Sequence, residues 1–419
     1  MPFQFSQTLL DPMAPILLAR GNVTVADTSS QLRQQWVNPG DIFSVLLILG
    51  GDVIQRALAQ LSGTVITPVA FSFGWVAYAI SALLSAVGSN KLMPASPEIQ
   101  CKVINVKSCY ARSNQSWVLG RILKDYDHWM PRNVRKRLEE LFDEVDKDNR
   151  ERLKETQGLV KLKKLQKLAR EKTTRAGLCV AIFEWVSDTE AEPGVPSHDW
   201  VWWSGFAVVA IQLAIAAIPC ALFHDWGVLL ITVCGSLLAF ATGALPQWRQ
   251  EKWACRTNDT TVALTRGNGS QHAIIIEGSP YGFNLEDLAT GEAPDVPHTR
   301  VFTCILAVLW FALLITSTGL QNSTWYLLAV GAIGMMQNLI VAGAPRRPEA
   351  SGLHIQFKEV IAAKKVMHAL MDLESSYKGF GEALRAEFFP GNLWEWEKQW
   401  WGTSDTNVRK ALEEKNRPM

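Results

Sequence analysis

The chain has 419 residues, 48% of them hydrophobic, with 41 Lys+Arg against 40 Asp+Glu, a net charge of +1 and a mean hydropathy of +0.05. That length allows two or three domains, and so even a mixture of charges offers no basic surface to nucleic acid. The charges are segregated: blocks 42–88, 200–248 and 301–344 hold only Asp52, Arg56 and Asp225, which excludes a simple soluble enzyme, a collagen, a disordered tail protein and a secreted disulfide scaffold.

Residues 1–40 form an N-terminal arm. They lack a basic start followed by an apolar core, so no cleavable signal peptide is expected. Residues 41–88 form the first predicted transmembrane hairpin. A helix needs about 20 apolar residues to cross the hydrocarbon core. Residues 64–88 read as a full span with Pro68 near its start. Residues 42–54 are apolar but short, and are followed by Gln55, Arg56 and Gln60. A full span over about 41–62 would carry Asp52 near mid-membrane; a re-entrant or interfacial segment is the rival reading. Asp52 and Arg56 are four apart and share a helix face, so they can pair. Pairing softens an insertion cost of about 2.5–3.5 kcal/mol per charge.

Residues 89–199 read as a cytoplasmic α+β region. Strands are expected near 101–106 and 177–185, and helices over 116–126 and from Pro131, where Val134, Leu138, Leu141, Phe142 and Val145 share a face. A second leucine stripe, Leu159, Leu162, Leu165 and Leu168, is surrounded by Lys161, Lys163, Lys164, Lys167, Arg170 and Lys172. This helix either lies on an anionic lipid surface or packs on the domain. Residues 200–248 divide at 223–225 into two spans. Residues 249–300 hold two β-rich runs, 261–266 and 271–276, around a Gly/Asn turn. That is a hairpin signal; a lone hairpin is marginal in water, so it is expected to pair with the strands near 101–106 and 177–185. Residues 301–344 divide at 321–324 into the last two spans. Residues 345–419 read as a cytoplasmic helical tail, with helical pattern through Val360, Val366, Leu370 and Leu373. An aromatic run at 388–401 is expected either to lie on the membrane or to cap the domain.

The predicted fold is thus an α-helical polytopic membrane protein, six transmembrane helices in three hairpins, with a cytoplasmic α+β domain built from inter-span loops. Trp200, Trp202, Trp203, Trp226, Trp248 and Trp325, among the 17 tryptophans, stand at span ends as interfacial aromatics do. Arg56 is the only Lys or Arg in any block. The positive-inside rule therefore puts the four charged regions, and both termini, in the cytoplasm.

Candidate chemistry is sparse. Ionisable groups inside spans usually face a bundle interior or a pathway, which singles out Asp52 with Arg56, preceded by Gly50-Gly51. Gln212, Gln337 and Asn338 either line the same interior or bond between helices. Gly235, Ala239 and Gly243, and Ala77, Ser81 and Ser85, form small-residue stripes suited to helix packing. The glycine turn at 267–270 lacks the Lys-Ser/Thr ending of a phosphate loop. The acidic stretch at 146–157 fails as a calcium loop, with Glu151 where the glycine belongs. The seven cysteines and seven histidines form no CxxC or HExxH, and GxSxG is absent. No catalytic residue, metal or cofactor is expected.

The stretches at 36–42 (WVNPGDI), 116–121 (SWVLGR), 243–248 (GALPQW), 264–269 (LTRGNG) and 345–348 (PRRP) together resemble a group of multi-spanning membrane proteins of filamentous fungi, over about 36–391. No activity is attached to that group, so the resemblance implies membrane placement and fungal origin and transfers no functional residue. Two functions stay open. One is transport or sensing of a small solute through the helix bundle holding Asp52 and Arg56, for which six spans favour a homo-oligomer. The other is a membrane-anchored scaffold or regulator acting through its cytoplasmic domain. A lipid-modifying enzyme has no motif behind it.

Overall fold

The computed structural model describes residues 50–88, 91–94, 99–155, 177–186, 192–320 and 322–416, except the side chains of 152–155. The chain is mostly helical with one mixed sheet and divides into two compact units. In chain order the elements are α1 (Gly51–Leu61), α2 (Trp75–Gly88), β1 (Lys102–Asn105), β2 (Ala111–Ser113), α3 (Trp117–Lys124) and α4 (Arg132–Glu155). Next come β3 (Leu178–Trp185), α5 (Trp200–Phe223), α6 (Gly227–Gly243), α7 (Pro246–Lys252), β4 (Val262–Thr265) and β5 (His272–Ile276). The last are α8 (Thr299–Thr318), α9 (Thr324–Gly343), β6 (Ile355–Ala363), α10 (Val366–Ser376), α11 (Phe380–Phe388), α12 (Glu395–Gly402) and α13 (Thr406–Asn416).

The first unit is a helix bundle. Four of its helices are long and apolar enough to cross a membrane: α5, α6 continued through α7 to Lys252, α8 and α9. The reading of 64–88 as a full span is corrected. Only the 14 residues of α2 are helical, and residues 62–74 run without helix between α1 and α2. Pro68 has no N–H to give and disfavours helical backbone at Thr67. Gly63 sits at φ 130°, where the chain turns. Val65, Ile66, Thr67 and Val69 add β-branched side chains that prefer extended backbone. The expected first span over 41–62 is described only from Gly50 onward, where α1 is an 11-residue helix.

The second unit is built on a six-stranded sheet in the order β2-β1-β4-β5-β3-β6. The expected hairpin is β4–β5. It pairs antiparallel with β1 on one side and, through β5, parallel with β3 on the other. Its turn places Gly267 and Gly269 at φ 92° and 85°, a backbone open to glycine. Alternation along the strands sends Leu178, Val180, Ile182, Ala273 and Ile275 to one face, where α10 and α11 cover them with Leu370, Leu373, Leu384 and Phe388. On the opposite face Tyr126 packs edge-on to His272 and Trp129 to Phe183.

Residues 355–363 correct a second expectation. They form an edge strand, β6, not the start of a helical tail, and the helix begins only at Val366. Val360 fits a helical stripe with Val366, but Ile355, Phe357 and Ile361 fit a strand that joins β3. Register shifts between Ile182 and Phe183, which pair with Glu359 and Phe357 and leave Lys358 as the extra residue of a bulge. A bulge with exposed charge protects an edge from pairing with another chain. Part of the aromatic run packs on the domain, Phe388 and Trp400 being buried while Trp394 is 72% exposed. Trp400 is fully buried, donates from Nε1 to Glu413 at 2.7 Å, and packs with Met367 and Met371. The lysine-rich stretch at 159–172 lies outside the described residues.

Candidate functional site

The most unusual feature of the bundle is residues 62–74, because non-helical backbone inside a membrane-type bundle must find partners for its polar groups within the protein. It finds them in two side-chain amides. Gln212 of α5 donates from Nε2 to the carbonyls of Phe71 at 2.7 Å and Val330 at 2.8 Å. Asn338 of α9 donates from Nδ2 to the Ala70 carbonyl and to Ser72 Oγ, both at 3.1 Å. Trp75 Nε1 adds a third donor to Ala70 O at 2.9 Å. Thr67 Oγ1 donates to the Gly243 carbonyl at 3.0 Å. Because each NH2 group meets two oxygens, the amide orientation follows from the bonding: a flip would set oxygen against oxygen. The amide oxygens of Gln212 and Asn338 are then left without a donor.

Glycines make the channel for this segment. A Cβ on Gly205 would collide with the Pro68 carbonyl, one on Gly334 with the Phe71 carbonyl, and one on Gly331 with the Phe73 ring. On α6, a Cβ at Gly235 would come within 2.5 Å of the Phe71 ring. The Gly235 and Gly243 positions of the small-residue stripe therefore face the segment as well as neighbouring helices. Trp310 of α8 stacks on Trp75 at 5.1 Å and on Phe71 at 6.2 Å, with planes 8° and 11° apart.

One end of the bundle is tied by consecutive charged residues of α7. The buried Lys252 ammonium donates to the Ser62 carbonyl at 2.6 Å, just past the end of α1, where the helix dipole favours a cation. Glu251 accepts from the backbone N–H groups of Leu92 and Met93 at 2.8 and 3.1 Å. Gln60 donates to the Ala344 carbonyl, so α1 ends level with the end of α9. Its start lies against Met335 in the middle of α9. Glu251 is absent from the sequence reading, and Gln60 and Lys252 stand there only as a polar interruption and a flanking cation, not as ties. The available signal was an adjacent acid and base immediately behind an apolar block.

Asp52 and Arg56 are both exposed on α1, whereas Gln212, Gln337 and Asn338 are buried. Gln212 and Asn338 converge on neighbouring carbonyls of one segment, while Gln337 donates instead to Ser204 Oγ at 3.3 Å. The six basic residues at 161–172 fall outside the described residues. Two cavities on the inner side of the segment are small. One of about 20 Å3 is lined by Phe71, Ser72 and Trp310, and one of about 10 Å3 by Tyr78, Leu92 and Thr242. A water needs about 10–15 Å3 on this measure, so each has room for one at most.

In the second unit, burial pushes the thiols of Cys101, Cys179 and Cys255 up to about 12, so they stay uncharged and are poor nucleophiles at neutral pH. Burial also lowers the pKa of His272, opposed by Asp127 and reinforced by Arg266. Among the described residues no three His, Cys, Asp or Glu side chains come together as a metal site. No family model, curated protein or solved structure matches the chain.

Proposed function

We propose that this is an integral, multi-pass membrane protein whose bundle is a closed anchor and whose sheet-based unit is the working part, a scaffold or regulator in the cytoplasm. The observation that carries the anchor reading is the bundle interior: its buried amides bond to the chain's own carbonyls, and the two cavities on the inner side of the segment have room for no more than one water each. What supports the multi-pass arrangement is the connectivity of the sheet. Strands β3, β4–β5 and β6 are separated in sequence by two pairs of membrane-length helices. A hydrogen-bonded sheet cannot be divided by a bilayer, so each pair goes out and returns. The basic residues then favour the cytoplasm for the sheet and for both termini. Membership of the fungal group belongs to the same proposal.

A second reading, solute transport or sensing by an oligomer, has one observation in its favour. Asp52 and Arg56 are exposed charges on a half-length helix that starts opposite the middle of α9. Proteoliposomes containing the full chain separate the two. The anchor reading expects swelling in iso-osmotic solutes of graded size to be no faster than in protein-free vesicles. Faster swelling that disappears in Asp52→Asn would favour transport.

A further inference from the structure

A further cavity of the bundle differs from the water-sized ones in both size and lining. It measures about 390 Å3 and is walled by Val65 and Ile66, by Phe206 of α5, and by Phe240, Ala241 and Ala244 at the end of α6. The Phe206 and Phe240 rings stack at 6.0 Å with planes 24° apart and form one wall. Val65 and Ile66, 74% and 51% exposed, form the other. Ala241 and Ala244 lie three apart on one helix face and leave open the space that larger side chains would fill.

Every lining residue is apolar. A sugar, nucleotide, peptide or ion would give up water here and gain no side-chain hydrogen bond, whereas a hydrocarbon chain gives up nothing. The backbone beside the cavity is adapted to lipid. In the exposed turn of the segment, Thr64 Oγ1 donates to the Ile66 carbonyl at 2.7 Å, pairing a backbone acceptor that hydrocarbon could not. The depth fits as well. Trp200 and Trp203 open α5 and are 64% and 60% exposed, the pattern of an interfacial belt. Phe206 lies six residues beyond Trp200, roughly 9 Å deeper at helical rise. The slot therefore begins beneath the belt and opens toward hydrocarbon.

We infer that this slot binds one acyl chain of a membrane glycerophospholipid, held between the Phe206–Phe240 stack and Val65–Ile66. The inference goes beyond the anchor reading and rests only on the bundle lying in lipid. The test uses the purified full chain in phosphatidylcholine nanodiscs doped with a phosphatidylcholine carrying a diazirine midway along one acyl chain. After photolysis, adducts are mapped residue by residue. They are expected on residues 65–66 and 240–244 several-fold above Leu84 and Ile315, each 70% exposed elsewhere on the bundle. Ala241→Phe, which fills the slot, is expected to bring the first set down to the level of the second and leave Ile315 unchanged. Labelling that is even across all exposed apolar residues would overturn the proposal. So would loss of the adducts on adding a sterol, which would give the slot to a ring system. The wild-type map decides the matter even if Ala241→Phe folds poorly. A chain that stays dispersed in buffer without detergent or lipid would instead defeat the membrane placement, a different result from even labelling.

Discussion

Gln212 and Asn338 hold the Phe71 and Ala70 carbonyls, which lie outside any helix, and that sets what their loss does. Replacing Gln212 by Leu leaves the buried Phe71 carbonyl without its donor, which costs about 1–3 kcal/mol; Asn338→Leu costs less, because Trp75 Nε1 still donates to Ala70 O. Thermal unfolding in detergent should register the first as a clear loss, and no change would mean the clamp is not formed. Gly334→Ala forces a methyl against the Phe71 carbonyl and is expected to cost at least about 1–3 kcal/mol. Gly343→Ala in the same helix meets nothing within 4 Å and should stay within about 0.5 kcal/mol of the parent. His272 supplies a pH effect. Burial lowers its pKa below the usual 6.5, so the unfolded chain binds a proton that the folded one does not. The stability it contributes is complete above that value and is lost as pH falls through it toward the folded pKa. Urea midpoints of the parent should drop more than those of His272→Gln between about pH 7.5 and about pH 5.5; equal drops would contradict it. The sequence made Gln212, Gln337 and Asn338 visible as polar groups inside apolar blocks. It could not show their partners, because those are backbone carbonyls freed by a helix break elsewhere. The spacing of Asp52 and Arg56 was equally visible, but spacing on a helix says nothing about which way that face turns.

The elements that hydropathy reads well are those whose hydrogen bonds are internal. Helices α5, α6, α8 and α9 need nothing from their neighbours, and their apolar runs are legible; of the tryptophans at their ends, Trp200, Trp203, Trp226 and Trp325 are exposed, whereas Trp248 is buried at 1% exposure. Residues 62–74 were not, because a hydropathy sum counts side chains and takes no account of backbone bonding; Pro68 and the β-branched run were the physical signals of a break. Strand β6 was misread for a related reason, since Val360 suits either period and only its pairing with β3 decides. The hairpin β4–β5 was legible because its glycine turn and two β-rich runs are local. At this scale the tie from Lys252 to the end of α1 gives a further prediction. Lys252→Met removes a charged donor from the Ser62 carbonyl and should cost about 1.5–3 kcal/mol, seen as a lowered thermal midpoint in detergent. An unchanged midpoint would show that this tie does not hold α1.

For the whole molecule, the strands of one sheet come from stretches interrupted by pairs of membrane-length helices, which constrains the path of the chain more tightly than any single helix does. If the pairs cross and return, Cys109, exposed beside β1, should react with a membrane-impermeant maleimide only after permeabilisation, while His224→Cys, in the turn between α5 and α6, should react in intact cells. Reaction of both from outside would break the proposed topology. The proposed anchor closes around residues 67–74, which are buried, and Ser72 is the residue that reports on it, at 1% exposure and lining the cavity that Phe71 and Trp310 also wall. The measurement is the labelling rate of Ser72→Cys by a charged, water-soluble maleimide in permeabilised membranes, read by peptide mapping against Cys109 in the same molecule. A closed anchor predicts that Ser72→Cys stays unlabelled while Cys109 is modified to completion. Labelling of Ser72→Cys at the rate of Cys109 would mean that water reaches the segment, and would contradict the account.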